Sequence, residues 1–245
     1  MRNFKIIIEY DGAAYVGWQR QKNGVSIQQL LEEAFGVITA GKVTLVGSGR
    51  TDAGVHAINQ VANFRSPTML PVERLFRGVN SILPQDIVVK KLEEVPIDFH
   101  AQHDVKSKVY VYRICNQNLR QVLGREYFWF IRYPLDLEKM RKAAQYLTGT
   151  HDFSCFCATG TDVKDRVRTL TAVAIETGPD GLIEITVEAR GFLKYMVRNI
   201  VGTLTEVARG KRRPEEMKEI IDSRNRNIAG ATAPACGLFL KEVKY

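Results

Sequence analysis

Gly47-Ser48-Gly49-Arg50-Thr51-Asp52-Ala53-Gly54-Val55-His56-Ala57 is the stretch on which the reading of this chain turns. Glycines 47, 49 and 54 let the backbone bend sharply and come close to a ligand. Between them stand a cation, a hydroxyl and a carboxylate, Arg50, Thr51 and Asp52. Apolar, strand-like runs lie on both sides, Val43 to Val46 and Ile58 to Phe64. A loop pinned between buried strands holds a catalytic group still. If the backbone is extended there, Arg50 and Asp52 project to the same side. A guanidinium beside a carboxylate favours its ionised form, which a nucleophile or base requires. Spacing alone also fits a plain turn with an aspartate cap. A dinucleotide fingerprint fails because Asp52 stands where the third glycine belongs, and no Gly-Lys-Ser/Thr follows for a phosphate loop.

Outward from this loop the chain alternates strands and helices. Phe4 to Tyr10 reads as a buried strand ending at the turn pair Asp11-Gly12. Ala13 to Gln21 mixes aromatic and polar residues without a period; Tyr15 and Trp18 fit either core packing or a loop facing a ligand. Ser26-x-x-Gln29 is a capping pattern. It opens a helix whose apolar residues Ile27, Leu30, Leu31, Ala34, Phe35 and Ile38 share one face. A short helix over Val72 to Val79 and a strand from Asp86 to Leu92 follow. The second half repeats the theme. It reads as a strand from Val105 to Cys115, a helix around Leu137 to Leu147, strands over 166–177 and 182–189, a helix from about 192 to 208, a short helix from Pro214 and a last strand from Gly237. Gly178-Pro179-Asp180-Gly181 marks a turn between two of these strands. Residues 113–135, with Trp129-Phe130, read as linker or as chain crossing between the lobes. The pattern predicts two α+β lobes with antiparallel sheets and helices on one face, divided as 1–104 and 105–245.

Composition narrows the function. At 245 residues there is room for one large domain or two smaller ones. No apolar run reaches the roughly 18 residues that span a bilayer, and the first residues lead straight into a strand without a signal-peptide core; both point to a cytoplasmic protein. Four cysteines are too few and scattered for a disulfide framework. Cys155-x-Cys157 lacks the usual metal-ligand gap, and there is no second pair. Thirty-five Lys+Arg against 27 Asp+Glu leave a formal charge of +8, which suits a polyanion such as nucleic acid.

Gly49-Arg50-Thr51-Asp52-Ala53-Gly54-Val55-His56 resembles the motif of the tRNA pseudouridine synthase A (TruA) family. So do Tyr10-Asp11-Gly12 with Gly17-Trp18-Gln19-Arg20-Gln21, Lys108-x-Tyr110-x-Tyr112, and Met196-Val197-Arg198-Asn199-Ile200-Val201-Gly202. The likeness runs through Ala233-Pro234 to Leu240. Ser48 and Lys194-Tyr195 depart from the commonest family residues without touching the carboxylate. The resemblance implies two ferredoxin-like lobes joined around a central catalytic cleft, working as a homodimer. It implies isomerisation of uridine to pseudouridine in the tRNA anticodon stem-loop, at positions 38, 39 and 40, with no metal or cofactor. Asp52 is then the catalytic nucleophile. Tyr110 contacts the flipped uracil, Arg198 pairs with the carboxylate, Phe192 and Met196 wall the pocket, and Arg50 and Arg20 face the RNA. Extruding the base costs a few kcal/mol, of which one stacked ring returns about 1–3 kcal/mol. From strand position alone, Tyr110 and Tyr112 are equally placed to supply it, or both pack in the sheet.

Two rival classes remain open to the residues themselves. An RNA-binding module would use the same basic surface, yet a carboxylate beside phosphates would serve it poorly. A metal-independent hydrolase or lyase using Arg50 and Asp52 on a small molecule would leave the positive charge without a role.

Overall fold

A computed structural model describes every residue of the chain except Pro179. The protein has an α+β fold in two units. Residues 1–106 and 239–245 form the first and 107–238 the second.

The first unit runs β1 (Arg2–Tyr10), α1 (Ile27–Thr39), β2 (Val46–Gly47), β3 (His56–Ser66), α2 (Val72–Ile82) and β4 (Ile87–Val95). Strand β1 pairs antiparallel with both β3 and β4. Along β1, Phe4, Ile6 and Ile8 are buried, as a period of two requires for a strand with one face on a core. The helices supply the other side of that core. On α1 the buried side chains are Ile27, Gln28, Leu31, Ala34 and Phe35, and the Phe35 ring meets Phe64 of β3 at 4.5 Å. A 13-residue helix is marginal alone. Burying each of Ile27, Leu31 and Phe35 contributes about 1.5–3 kcal/mol, so packing rather than propensity holds it. Its start is capped as the sequence predicts, Ser26 Oγ accepting from the Gln29 N–H.

The second unit runs β5 (Ser107–Asn116), β6 (Trp129–Ile131), α3 (Leu137–Gln145), β7 (Gly149–Asp152), β8 (Val167–Thr177), β9 (Ile183–Ala189), α4 (Met196–Ala208) and α5 (Glu216–Ser223). Its strands lie in the order β6-β5-β9-β8-β7. Strand β6 runs parallel to β5, while the β5–β9, β9–β8 and β8–β7 pairs are antiparallel. Strand β10 (Leu238–Lys244) then carries the chain back to the first unit, where Phe239 and Leu240 pair in parallel with His56 and Ala57. The outer side of β3 is thus shared, with β2 on its 62–63 end and β10 on its 56–57 end.

Three local expectations change. The run from Val43 forms a strand only at 46–47. Val43 and Leu45 are buried, but Leu45 spends its backbone on α1, its N–H on Glu32 Oε1 and its carbonyl on Gln28 Nε2. Residues 129–131 are a strand beside β5 rather than linker. Helix α4 starts at Met196, because Tyr195 sits at φ +63° and breaks helical geometry before it. Of the turn at 178–181, Pro179 lies outside the described residues. Around it Gly178 N donates to Leu182 O at 2.7 Å, and Gly181 N donates to Gly178 O at 3.0 Å. Among the described residues no helix is long and apolar enough to cross a membrane, and no group of three or more His, Cys, Asp or Glu is placed to hold a metal.

Candidate active site

In the first unit the loop after β2 closes in a β-turn. Val55 N donates to Asp52 O at 3.1 Å, and Gly54, its third residue, has φ +75°. Position three of such a turn tolerates glycine best. Asp52 is therefore the first residue of the turn, half-buried, with Thr51 buried before it and Arg50 exposed.

The segment from 10 to 18 grips this loop. Trp18 N donates to Thr51 O at 3.1 Å and Gly54 N to Tyr15 O at 3.3 Å. The hydroxyls of Tyr10 and Thr51 share a buried hydrogen bond of 2.8 Å. Gly17 lies at φ +101°, so close that a Cβ there would stand 2.6 Å from Thr51 O and 3.0 Å from the Asp52 carbonyl carbon. A Cβ on Gly12 would stand 2.0 Å from Val55 O. On the strand side, buried Gln60 takes a hydrogen bond from Ser48 Oγ (2.7 Å) and donates to Gly49 O (3.1 Å). The residues on both sides of Asp52 are thus fixed by backbone contacts from an element some 40 positions away.

Other members of these motifs are placed differently. Trp18 is core, 1% exposed. Gln19 donates to Gln28 Oε1 and Gln21 to Val16 O. Arg20 is exposed and faces two α1 carboxylates, Glu32 at 3.3 Å and Glu33 at 3.4 Å. His56 is buried, its Nδ1 lying 3.0 Å from Asp11 Oδ1 and 3.1 Å from Gly12 N. Its ring stacks on Phe239 at 4.7 Å.

Sequence reasoning missed the grip of Tyr10, Gly12 and Gly17 on the loop. The motif residues were visible, but their partner was not. Burial pushes the Tyr10 hydroxyl's pKa up, while its bonds to Thr51 and Gln60 pull the other way. Tyr10→Phe is expected to lower the free energy of unfolding by about 1–3 kcal/mol, since it strands buried partners. In urea titrations, adding Thr51→Val to that variant is expected to cost less than Thr51→Val alone. Additive losses would mean that the two hydroxyls do not act as a pair.

In the second unit Tyr110 and Tyr112 lie on the same side of β5, and their surroundings separate them. Tyr112 is fully buried, and its hydroxyl donates to Pro234 O at 2.8 Å. Burial pushes its pKa up. It is a core residue. Tyr110 is 7% exposed, and its ring meets half-buried Phe192 edge to face at 5.0 Å. Arg198 lies in the first turn of α4. Its Nε donates to Ala233 O at 2.8 Å, and its guanidinium carbon sits 4.9 Å over the Tyr195 ring. Met196 is buried. The loop at 229–233 lies directly on α4, so close that a Cβ on Gly202 would stand 1.7 Å from Ala231 O. A cavity of about 620 Å³ opens beside Tyr195, lined by Lys194, Arg226 and Thr232 among others. Asp52, Tyr110 and Arg198 are not in its lining, so side-chain chemistry rather than volume marks the candidate residues.

The sequence pattern described as tRNA pseudouridine synthase matches residues 6–104 and 143–245. Those ranges hold Asp52 and Arg198; Tyr110 falls between them. A protein named tRNA pseudouridine synthase A from Acetivibrio thermocellus is 48% identical over 245 residues, covering all of both chains. Proteins of the same name from Thermoanaerobacter sp. (strain X514) and Caldicellulosiruptor bescii are 47% and 41% identical, again over the whole of both chains.

Proposed function

This chain belongs to the tRNA pseudouridine synthase family, an isomerase family, and we propose that it converts uridine to pseudouridine at positions 38, 39 and 40 of the tRNA anticodon stem-loop. The bond from ribose C1′ to uracil N1 breaks, the base turns, and C1′ rejoins through C5, which gives up its proton to water while N1 takes one up. No atom is gained or lost, so the reaction consumes no co-substrate. Its first demand is a nucleophile held in fixed geometry. The observation that carries the proposal is the grip on the turn headed by Asp52. Hydrogen bonds fix Thr51 and Gly54, while Asp52 itself keeps part of its surface accessible.

On this reading Asp52 is the catalytic nucleophile, Tyr110 contacts the flipped uracil, and Arg198 pairs with the carboxylate. Phe192 supports the Tyr110 ring from its edge, and Met196 backs the same wall. Exposed Arg50 holds the nucleotide or its phosphate. Arg20 meets the RNA by exchanging its exposed pairing with Glu32 and Glu33, which surface ion pairs release at little cost. The RNA is selected by shape and backbone contacts rather than base reading. The enzyme works in the cytoplasm as a homodimer, without metal or cofactor.

The test uses unmodified tRNA transcript tritiated at C5 of uridine. Release of tritium to water, with pseudouridine mapped to positions 38–40 of the product, is expected. Salt-sensitive binding without any release would favour a binding module instead.

A further inference from the structure

The two faces of β5 have opposite surroundings. Val109, Val111 and Arg113 lie across from Glu188, Thr186 and Glu184, and Arg113 Nε donates to Glu184 Oε1 at 2.9 Å. The cation on that face has its carboxylate. Lys108, Tyr110 and Tyr112 lie across from Ala189, Val187 and Ile185, all three fully buried. One strand further, Leu170 of β8 stands opposite Ala189. Lys108 is therefore a half-buried lysine on an apolar face. Among the described residues no carboxylate, carbonyl or ring partners it. Burial pushes its pKa down to about 8, with no counter-charge offsetting the shift.

A cation partly desolvated without a counter-charge is costly, and an apolar face of this kind would be covered at less cost by methionine or leucine. The position makes physical sense if the counter-charge arrives from outside. A uracil carbonyl offers only a dipole, whereas a phosphodiester brings a full negative charge. Two residues along a strand span about 7 Å, a distance that one nucleotide covers from base to phosphate. We propose that Lys108 is an anion site for the RNA phosphodiester flanking the nucleotide contacted by Tyr110. This rests on the tRNA reading above, and it names a contact that reading leaves open.

Two variants test it, with thermal melting, tRNA binding across a salt series and tritium release measured in parallel. Lys108→Met keeps an unbranched apolar stem, so its melting temperature should equal or exceed that of the wild type. Its tRNA affinity should fall about 3- to 10-fold near 0.1 M salt, and the slope of log affinity on log salt should shrink by about one. Lys108→Arg keeps the charge and should restore the slope. A slope and affinity unchanged in Lys108→Met, with the wild type active, overturn this site alone. So does a lowered melting temperature with binding intact, which marks a structural role. Wild-type protein that neither binds nor isomerises tRNA overturns the functional reading as well.

Discussion

Asp52→Asn is expected to cut tritium release from C5-labelled tRNA by at least about four orders of magnitude, the scale seen when a nucleophile is removed. Asparagine has nearly the same shape as aspartate, so the loop is not rebuilt by the change. The turn is closed by the backbone of Asp52, through Val55 N to Asp52 O. The grip acts on Thr51 and Gly54, and neither contact uses the carboxylate. What disappears is the negative oxygen to which the proposed mechanism assigns the attack. Affinity for tRNA should remain close to that of the wild type, because the basic surface is untouched. A variant that releases tritium at near-normal rate removes Asp52 from the role of nucleophile. One that has lost tRNA binding shows that the carboxylate organises the surface as well.

Gly17→Ala is expected to have the second largest effect, although residue 17 carries no functional group. Two independent costs coincide there. At φ +101° an L side chain is strained, and the added methyl would stand 2.6 Å from Thr51 O, a backbone atom that cannot swing aside. Overpacking of this kind costs about 1–3 kcal/mol, with about 1 kcal/mol or more for the backbone. The melting temperature should fall by about 5–15 °C for a chain of this size. Relief comes most directly by pushing Thr51 and Asp52 away. A displacement near 1 Å costs on the order of 100-fold in turnover, so the surviving folded enzyme should also be slow. Melting and single-turnover rates at a temperature well below the transition separate the two effects. If the folded fraction turns over normally, the 10–18 segment does not position the nucleophile.

The α+β alternation was legible because α1 shows a clean period between three and four and β9 a clean period of two. Such patterns arise wherever one face is buried and the other is not. Where they misled, the cause was a competing local bond. Leu45 looked like strand and is buried like one, but α1 side chains took its backbone partners. The α4 apolar stripe continued back to Phe192, yet one left-handed residue at Tyr195 halted the helix. In the candidate site, the residue types and their motifs could be read directly, Asp52 among them. The choice between Tyr110 and Tyr112 could not. It depends on Pro234, more than 120 positions away, accepting the hydroxyl of one of them. The grip of Gly17 on Thr51 is of the same kind, since a glycine reveals nothing of what it makes room for.

One feature of the fold bears on how the protein is made. Strand β10 completes the first unit but follows residues 107–237 in the chain. At ordinary translation speeds the ribosome needs on the order of ten seconds to make that insert. Throughout that interval β3 waits with the positions of His56 and Ala57 unpaired on one side, and His56 lacks the Phe239 ring that stacks on it. The second unit is therefore synthesised whole before the first is complete. A nascent chain exposes a strand edge beside the loop at 47–55 until β10 emerges, and such edges recruit chaperones or other chains. The first unit thus stays incomplete until β10 pairs with His56 and Ala57.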